Sequence, residues 1–234
     1  LQTTVIGTGV DAALGTPYAW TIPDDIGNAL RVRITDESDS AVLDVSDASF
    51  KIVGSLTLTA PVGGEDWAVA TSENITWTKT GSIANAKLEY STNSGVSYPN
   101  VIVVSTPADP LPTDNAGTYT WLVPDNTSTT VRVKITDVSD STVFDDSAAN
   151  FKIIAAFTLT VPDGGEVWTV GESRNITWTN TGSAANVKLD YSTNGGTTYP
   201  NVITASTPNT GSYAWTVPDD ISATARVKIS DVLE

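Results

Sequence analysis

The sequence predicts an all-β chain of tandem antiparallel β-sandwiches, and three observations carry that prediction. PVGGEDWAVATSENITWT from Pro61 returns as PDGGEVWTVGESRNITWT from Pro162, with Trp67 and Trp77 recurring 101 residues later as Trp168 and Trp178. Thr, Val, Ile and aromatic residues alternate with polar ones, and turn-forming clusters recur roughly every ten residues. No stretch keeps a helical period.

The elements follow in order. The chain starts partway through the repeat: TPYAWTIPDDIGNALRVRITDESDSAVLDVSDASFKIV from Thr16 tracks its second half, with Trp20 matching Trp121 and Phe50 matching Phe151. The complete copy then opens with LTLT, where Leu56 and Leu58 share a face. Gly63-Gly64, and later Gly164-Gly165, supply the positive φ needed where this first strand turns or switches sheet. NITWT and KLEYS point Ile75, Trp77, Leu88 and Tyr90 inward, and TNSG before YPNVIVV is hairpin-turn chemistry. ADPLPTD (Ala108 to Asp114) is a Pro-rich loop tip where length changes are tolerated, and beyond it the offset between copies drops to 94. TYTWLVP turns Tyr119, Trp121 and Val123 to one side, TVRVKITD does so with Val131, Val133 and Ile135, and FKI closes the unit.

About seven strands in 101 residues is the count and size of an immunoglobulin-like or fibronectin-III-like sandwich. The expected organisation is the C-terminal part of one repeat at 1–53, its opening strands absent; a complete repeat at 54–153; and a repeat lacking its last strand at 154–234. Trp67, Trp77 and Trp121 are expected between the sheets, because a small sandwich without a disulfide depends on large aromatics for buried area. An exposed aromatic platform for sugar is the competing reading.

The combined motif P-x-G-G-E-x-W, N-I-T-W-T, K-L-[ED]-Y-S-T-N-x-G, Y-x-W-x-V-P, R-V-K-I-[ST]-D and F-K-I resembles the tandem Ig-like repeats of bacterial cell-surface and secreted proteins. These are similar to the Ser-Thr-rich, glycosyl-phosphatidylinositol-anchored domain family of fungal cell-wall proteins. The resemblance spans essentially the whole chain. It implies an exported, repetitive, non-catalytic module of adhesins, surface layers, stalks or the accessory regions of large secreted enzymes. No lipid-anchor signal is visible, so the anchoring part of the family description does not transfer.

Composition excludes much chemistry. With no cysteine and no histidine, there is no disulfide framework, no zinc-thiolate site, no thiol nucleophile and no ordinary base for a serine triad. The net charge of −15 disfavours nucleic acid and anionic membrane, and no run of 18 apolar residues is present for direct membrane insertion. The chain contains no methionine, not even at position 1, and is expected to be an excerpt or processed product of something longer.

Basic residues alternate with apolar ones in strands, whereas acids gather in turns. Lys87 and Glu89 are expected beside Arg132 and Lys134 on a neighbouring strand. Calcium is the one cofactor the acidic turns suggest, with Asp36, Asp39, Asp137 and Asp140 as candidates where they meet a neighbouring repeat's turn. TDESDS and TDVSDS lack EF-hand spacing, and solvated turn aspartates are the plain alternative. No catalytic residue is assigned: the same acids recur at turns in every copy. Asn74, Asn126 and Asn175 head glycosylation sequons.

The expected function is therefore a non-catalytic structural segment of a larger extracellular or cell-surface protein: a spacer, stalk, fibre or surface-lattice component. The alternative is a carbohydrate-binding or adhesive module, alone or accessory to a secreted enzyme. Expected partners are neighbouring repeats of the same chain, further copies or cell-surface molecules. FKIVGSLTLT (from Phe50) and FKIIAAFTLT (from Phe151) leave only two or three residues between repeats, and they lack linker composition. Apolar Ile154 to Phe157 would form a patch that needs covering. End-to-end packing with limited bending follows as an expectation.

Overall fold

The computed structural model describes residues 4–10, 17–108 and 116–232, and every regular element in it is a β-strand. The second repeat shows the whole architecture. Its strands, after β1 (Gly27–Leu30), β2 (Arg33–Thr35), β3 (Leu43–Val45) and β4 (Phe50–Ile52) of the first repeat, are β5 (Ser55–Ala60), β6 (Asp66–Ala68), β7 (Ser72–Thr80), β8 (Asn85–Ser91), β9 (Asn100–Pro107), β10 (Ala116–Leu122), β11 (Ser128–Asp137), β12 (Phe144–Asp146) and β13 (Phe151–Ile154). One sheet runs β10-β7-β5 and the other β6-β13-β11-β8-β9, with β12 also on β11. The chain is thus an all-β, Ig-like sandwich protein.

Nine segments stand where about seven strands are expected, because the first and last strands are each interrupted. The first breaks at Gly63 (φ +125) and Gly64 (φ +88), so that β5 serves one sheet and β6 the other: of the turn or sheet switch expected at the glycine pair, the structure has the switch. At Gly63 a Cβ would also run into Ala149, so the position needs glycine for space as well as for φ. Glu65 ties the turn by accepting the Val62 and Gly63 amides at 2.8 Å each.

Trp67, Trp77 and Trp121 are all buried, as expected, and join Leu88, Val133, Ile135, Phe151 and others in one core. Trp67 sits 4.8 Å from the Phe151 ring and 5.9 Å from Trp121, which in turn meets Tyr90 at 5.1 Å. The indole of Trp77 donates to the Ala108 carbonyl at 2.9 Å, at the mouth of the loop whose residues 109–114 lie outside the described set. Across β8 and β11, Glu89 faces Lys134 as expected, but Lys87 faces Thr136 and Arg132 faces Ser91. Lys87 pairs with Glu89 of its own strand at 2.6 Å, and Arg132 donates to Asn150 Oδ1 at 2.9 Å, next to β13, which flanks β11 on the side away from β8.

The third repeat contributes β14 (Ala156–Val161), β15 (Ser173–Thr181), β16 (Asn186–Ser192), β17 (Asn201–Pro208), β18 (Ser212–Thr216) and β19 (Arg226–Asp231), in sheets β14-β15-β18 and β17-β16-β19. Its registers repeat those of the second: Leu159 opposes Trp178 as Leu58 opposes Trp77, and Tyr191 opposes Val227 as Tyr90 opposes Val133. Trp178 donates to Asn209 Oδ1 at 2.7 Å, so the shorter loop supplies a side-chain acceptor where the longer one supplies a carbonyl. Among its described residues there is no counterpart of β13. Trp168 and Trp215 are consequently only half-buried, and residues 166–168 form no strand, since β6 exists by pairing with β13.

In the first repeat β1 pairs with β4 and β2 with β3, and Trp20 meets Phe50 edge-on at 6.2 Å. β1 and β2 align with the single strand β11 but are separated at Arg31-Val32. β11 is continuous because β8 supports most of its length; no such neighbour flanks β1 and β2 among the described residues.

Candidate functional site

The segments between repeats are short: Val53 and Gly54 separate β4 from β5, and Ala155 alone separates β13 from β14. Ile52 and Ala155 are buried and Ile154, Ala156 and Phe157 half-buried, so the apolar joint is largely covered. Two turns do the covering. One is the Ile/Val-Pro-Asp turn of the preceding repeat, and the other is the Thr-Gly-Ser turn of the following repeat, between β7 and β8 in the second and between β15 and β16 in the third.

At the first joint the Asp24 carboxylate accepts the Ser82 amide at 2.8 Å and the Ser82 hydroxyl at 2.5 Å. At the second, Asp125 accepts the Ser183 amide and hydroxyl, both at 2.7 Å, and the Thr127 hydroxyl donates to the Ser183 carbonyl at 3.0 Å. The same bidentate clamp is therefore built twice, with its aspartate and its serine both displaced by the repeat length. The glycine between Thr and Ser is required on two counts. Gly81 and Gly182 have φ of +85° and +91°, and a Cβ at Gly81 would press on Asp24 and Ile26, one at Gly182 on Val69. Ile26 packs against the core of the second repeat, and Ile22, Pro23, Ile52 and Val53 line the crevice beside it.

The packing beneath the clamp differs between joints in a compensated way. Gly54 has no room for a Cβ because the Thr80 carbonyl and the Ile83 side chain both close on it, whereas the third repeat carries Ala155 and Ala184 at the positions matching Gly54 and Ile83. A smaller residue on one side accompanies a larger one on the other, as close packing demands.

The turn aspartates proposed for calcium act in the structure as turn formers. Asp36 accepts the Ser38 amide and hydroxyl at 2.7 Å each, and Asp39 accepts the Ala41 amide at 3.0 Å. Asp137 does the same for Ser139, and Asp140 for Thr142. Such side-chain acceptance of the amide two residues on is the Asx-turn. Asp140 does meet a neighbouring repeat, but through a cation: Lys51 on β4 reaches it at 3.2 Å. Lys152, the counterpart of Lys51, instead pairs with Asp66 on β6 at 3.4 Å. Among the described residues no three metal-type side chains converge.

The hydrogen bonds leave an electrostatic mark. The Ser82 hydroxyl and amide hold the Asp24 carboxyl below its ordinary range, and Thr142, helped by Lys51, pushes Asp140 down to about 2. Depressed carboxyl pKa values stabilise the folded arrangement above the ordinary carboxylate range, and this contribution is lost as pH falls through the folded values. The first joint is thus expected to hold from neutrality to about pH 4 and to loosen below it, with the Asp140 contact lasting to about pH 2. Hydrogen exchange at the Ser82 amide across that range checks it; protection independent of pH down to 2 would refute it.

The clamp was not anticipated from sequence. Its signal was present, since IPD/VPD and TGS recur in step, but each is locally explained as a turn.

No curated protein matches the chain. Among solved structures, the fibronectin(III)-like modules of Clostridium thermocellum CbhA are 18% identical, the match covering 76% of this chain and 93% of that one with a TM-score of 0.25. The titin domains Z1Z2 in complex with telethonin are 11% identical, over 75% and 94%, with a TM-score of 0.24. A family model, the Kre9/KNH-like N-terminal Ig-like domain, matches residues 161–231, so the third repeat is similar to an Ig-like domain of that kind.

Proposed function

We propose that the chain is a non-catalytic structural segment of an extracellular or cell-surface protein, whose Ig-like repeats act as a semi-rigid spacer. The observation that carries this reading is the joint: two successive junctions reuse one clamp, at Asp24–Ser82 and Asp125–Ser183, over connections of one or two residues. A reaction centre gains nothing from repeated joints, whereas a spacer depends on them. Buried Trp67, Trp77 and Trp121 also favour the spacer over a sugar-binding platform. The Kre9/KNH-like family match and the acidic, cysteine-free composition are consistent with an exported module.

Each full repeat should add about 35–45 Å to the length. Small-angle scattering on the chain is expected to give a narrow distribution of distances between repeats; one as broad as a flexible tether's would refute the spacer. Retention of the chain on immobilised cell-wall polysaccharide would instead favour the adhesive function.

A further inference from the structure

Three positions that face the next repeat at the internal joints have counterparts on the far end of the third repeat, where they are open. Val69 is 6% exposed against Gly182, and its counterpart Val170 is 45% exposed. Ile26 is half-buried against the second repeat, and its counterpart Ile221 is 90% exposed, the most of any large apolar side chain among the described residues. The counterpart of Asp24 and Asp125 is Asp219, which is exposed.

The turn holding Asp219 is already set for use. Asp220, the residue after it, accepts a short hydrogen bond from Tyr191, just as Asn126, the residue after Asp125, donates to the Tyr90 hydroxyl at 3.1 Å. In both repeats the second residue of the pair anchors the turn to its own sandwich and leaves the first to reach outward.

We propose that Asp219, Ile221 and Val170 form a docking surface for a further Ig-like repeat that presents a Thr-Gly-Ser turn, with Asp219 accepting the amide and hydroxyl of that serine. The inference rests on the spacer reading and adds the chemistry of the partner. It also selects the kind of repeat. Isoleucine after the Pro-Asp turn occurs at Ile26, which packs on the core of the second repeat, the repeat that carries Gly54 and Ile83, whereas the matching Thr127 donates to Ser183 of the third repeat, which carries Ala155 and Ala184 instead. Ile221 therefore fits a repeat of the second kind. The surface of this chain cannot be satisfied by a second copy with its joints closed, because Ser82 and Ser183 are both engaged.

The test uses the absence of cysteine. Two extended chains are made: residues 1–231 followed by 138–153, which supplies only the last strand, and the same chain continued by 53–153, which adds a repeat. With Ile221→Cys, thiol labelling is expected to be at least about tenfold slower in the longer chain than in the shorter, and to recover when Asp219→Ala is added. Because a cysteine at 221 could itself weaken docking, hydrogen exchange at the amide of the appended Ser82 is followed without it. Protection that depends on Asp219 supports the proposal.

Equal labelling rates in the two chains, with an unprotected serine amide, overturn it. A control with Ile26→Cys separates the two levels: slow labelling there leaves the spacer reading standing, whereas fast labelling removes that reading too.

Discussion

Trp77→Ala is expected to lower the stability of the second repeat by about 3–5 kcal/mol. The indole is 1% exposed, lies opposite Leu58 and Gly117 on the neighbouring strands, and is the largest fully buried side chain among the described residues. Truncation opens a cavity at the centre of the sandwich and removes the donor that satisfies the buried Ala108 carbonyl, a loss of the kind that costs about 1–3 kcal/mol and is included in that range. Hydrogen exchange at the amides of β8 and β11 reads the effect, with β15 and β16 as an internal reference. A change below about 1 kcal/mol would mean that the core closes over the gap, contrary to its close packing.

Gly117→Ala comes next, with an expected loss of about 1–3 kcal/mol or more. Gly117 lies in β10 with backbone geometry that any residue could adopt, so flexibility is not the reason for glycine. A Cβ there would overlap the indole ring of Trp77, which lies flat over the backbone. The two substitutions should therefore couple: in a Trp77→Leu background, Gly117→Ala is expected to cost little, and the cycle should show strong non-additivity. Equal cost in both backgrounds would show that the glycine serves something other than the indole. Gly211 in the third repeat is held differently, by φ of +82°, so Gly211→Ala is not expected to couple to Trp178 in this way.

Residues with a strong internal pattern were legible before any coordinates. Alternation placed Ile75, Trp77, Leu88, Val133 and Ile135 inside, and the paired glycines at 63 and 64 marked the sheet switch, because each signal is set by its own strand or turn. The joint was legible only in outline. Its short apolar connections announced contact between repeats, but the clamp itself joins residues 58 apart, Asp24 with Ser82, and an aspartate after proline has an ample local explanation in the turn. The acidic turns were legible as clusters at Asp36, Asp39, Asp137 and Asp140, but not what each carboxylate does there: in the structure Asp36 and Asp137 accept backbone amides two residues on. The Ig-like topology placed Lys87 and Glu89 on the strand beside Arg132 and Lys134, as the structure has them, but not the partners that Lys87 and Arg132 take, since side-chain reach is not encoded in alternation.

The parallel pairing of β6 with β13 has a mechanical consequence. These strands lie near opposite ends of the second repeat's sequence and run the same way, so tension applied through the two joints draws them lengthwise past each other. The amides of Val69, Lys152, Gly64 and Ala149 cross this seam in hydrogen bonds of 2.8 to 2.9 Å, with the Lys152–Asp66 ion pair beside them. Loaded in shear, such bonds must yield together; a strand peeled from its end gives them up one at a time. Stretched through its two joints, the second repeat is therefore expected to open in one cooperative step, at a higher force than a sandwich whose end strands are peeled away one bond at a time.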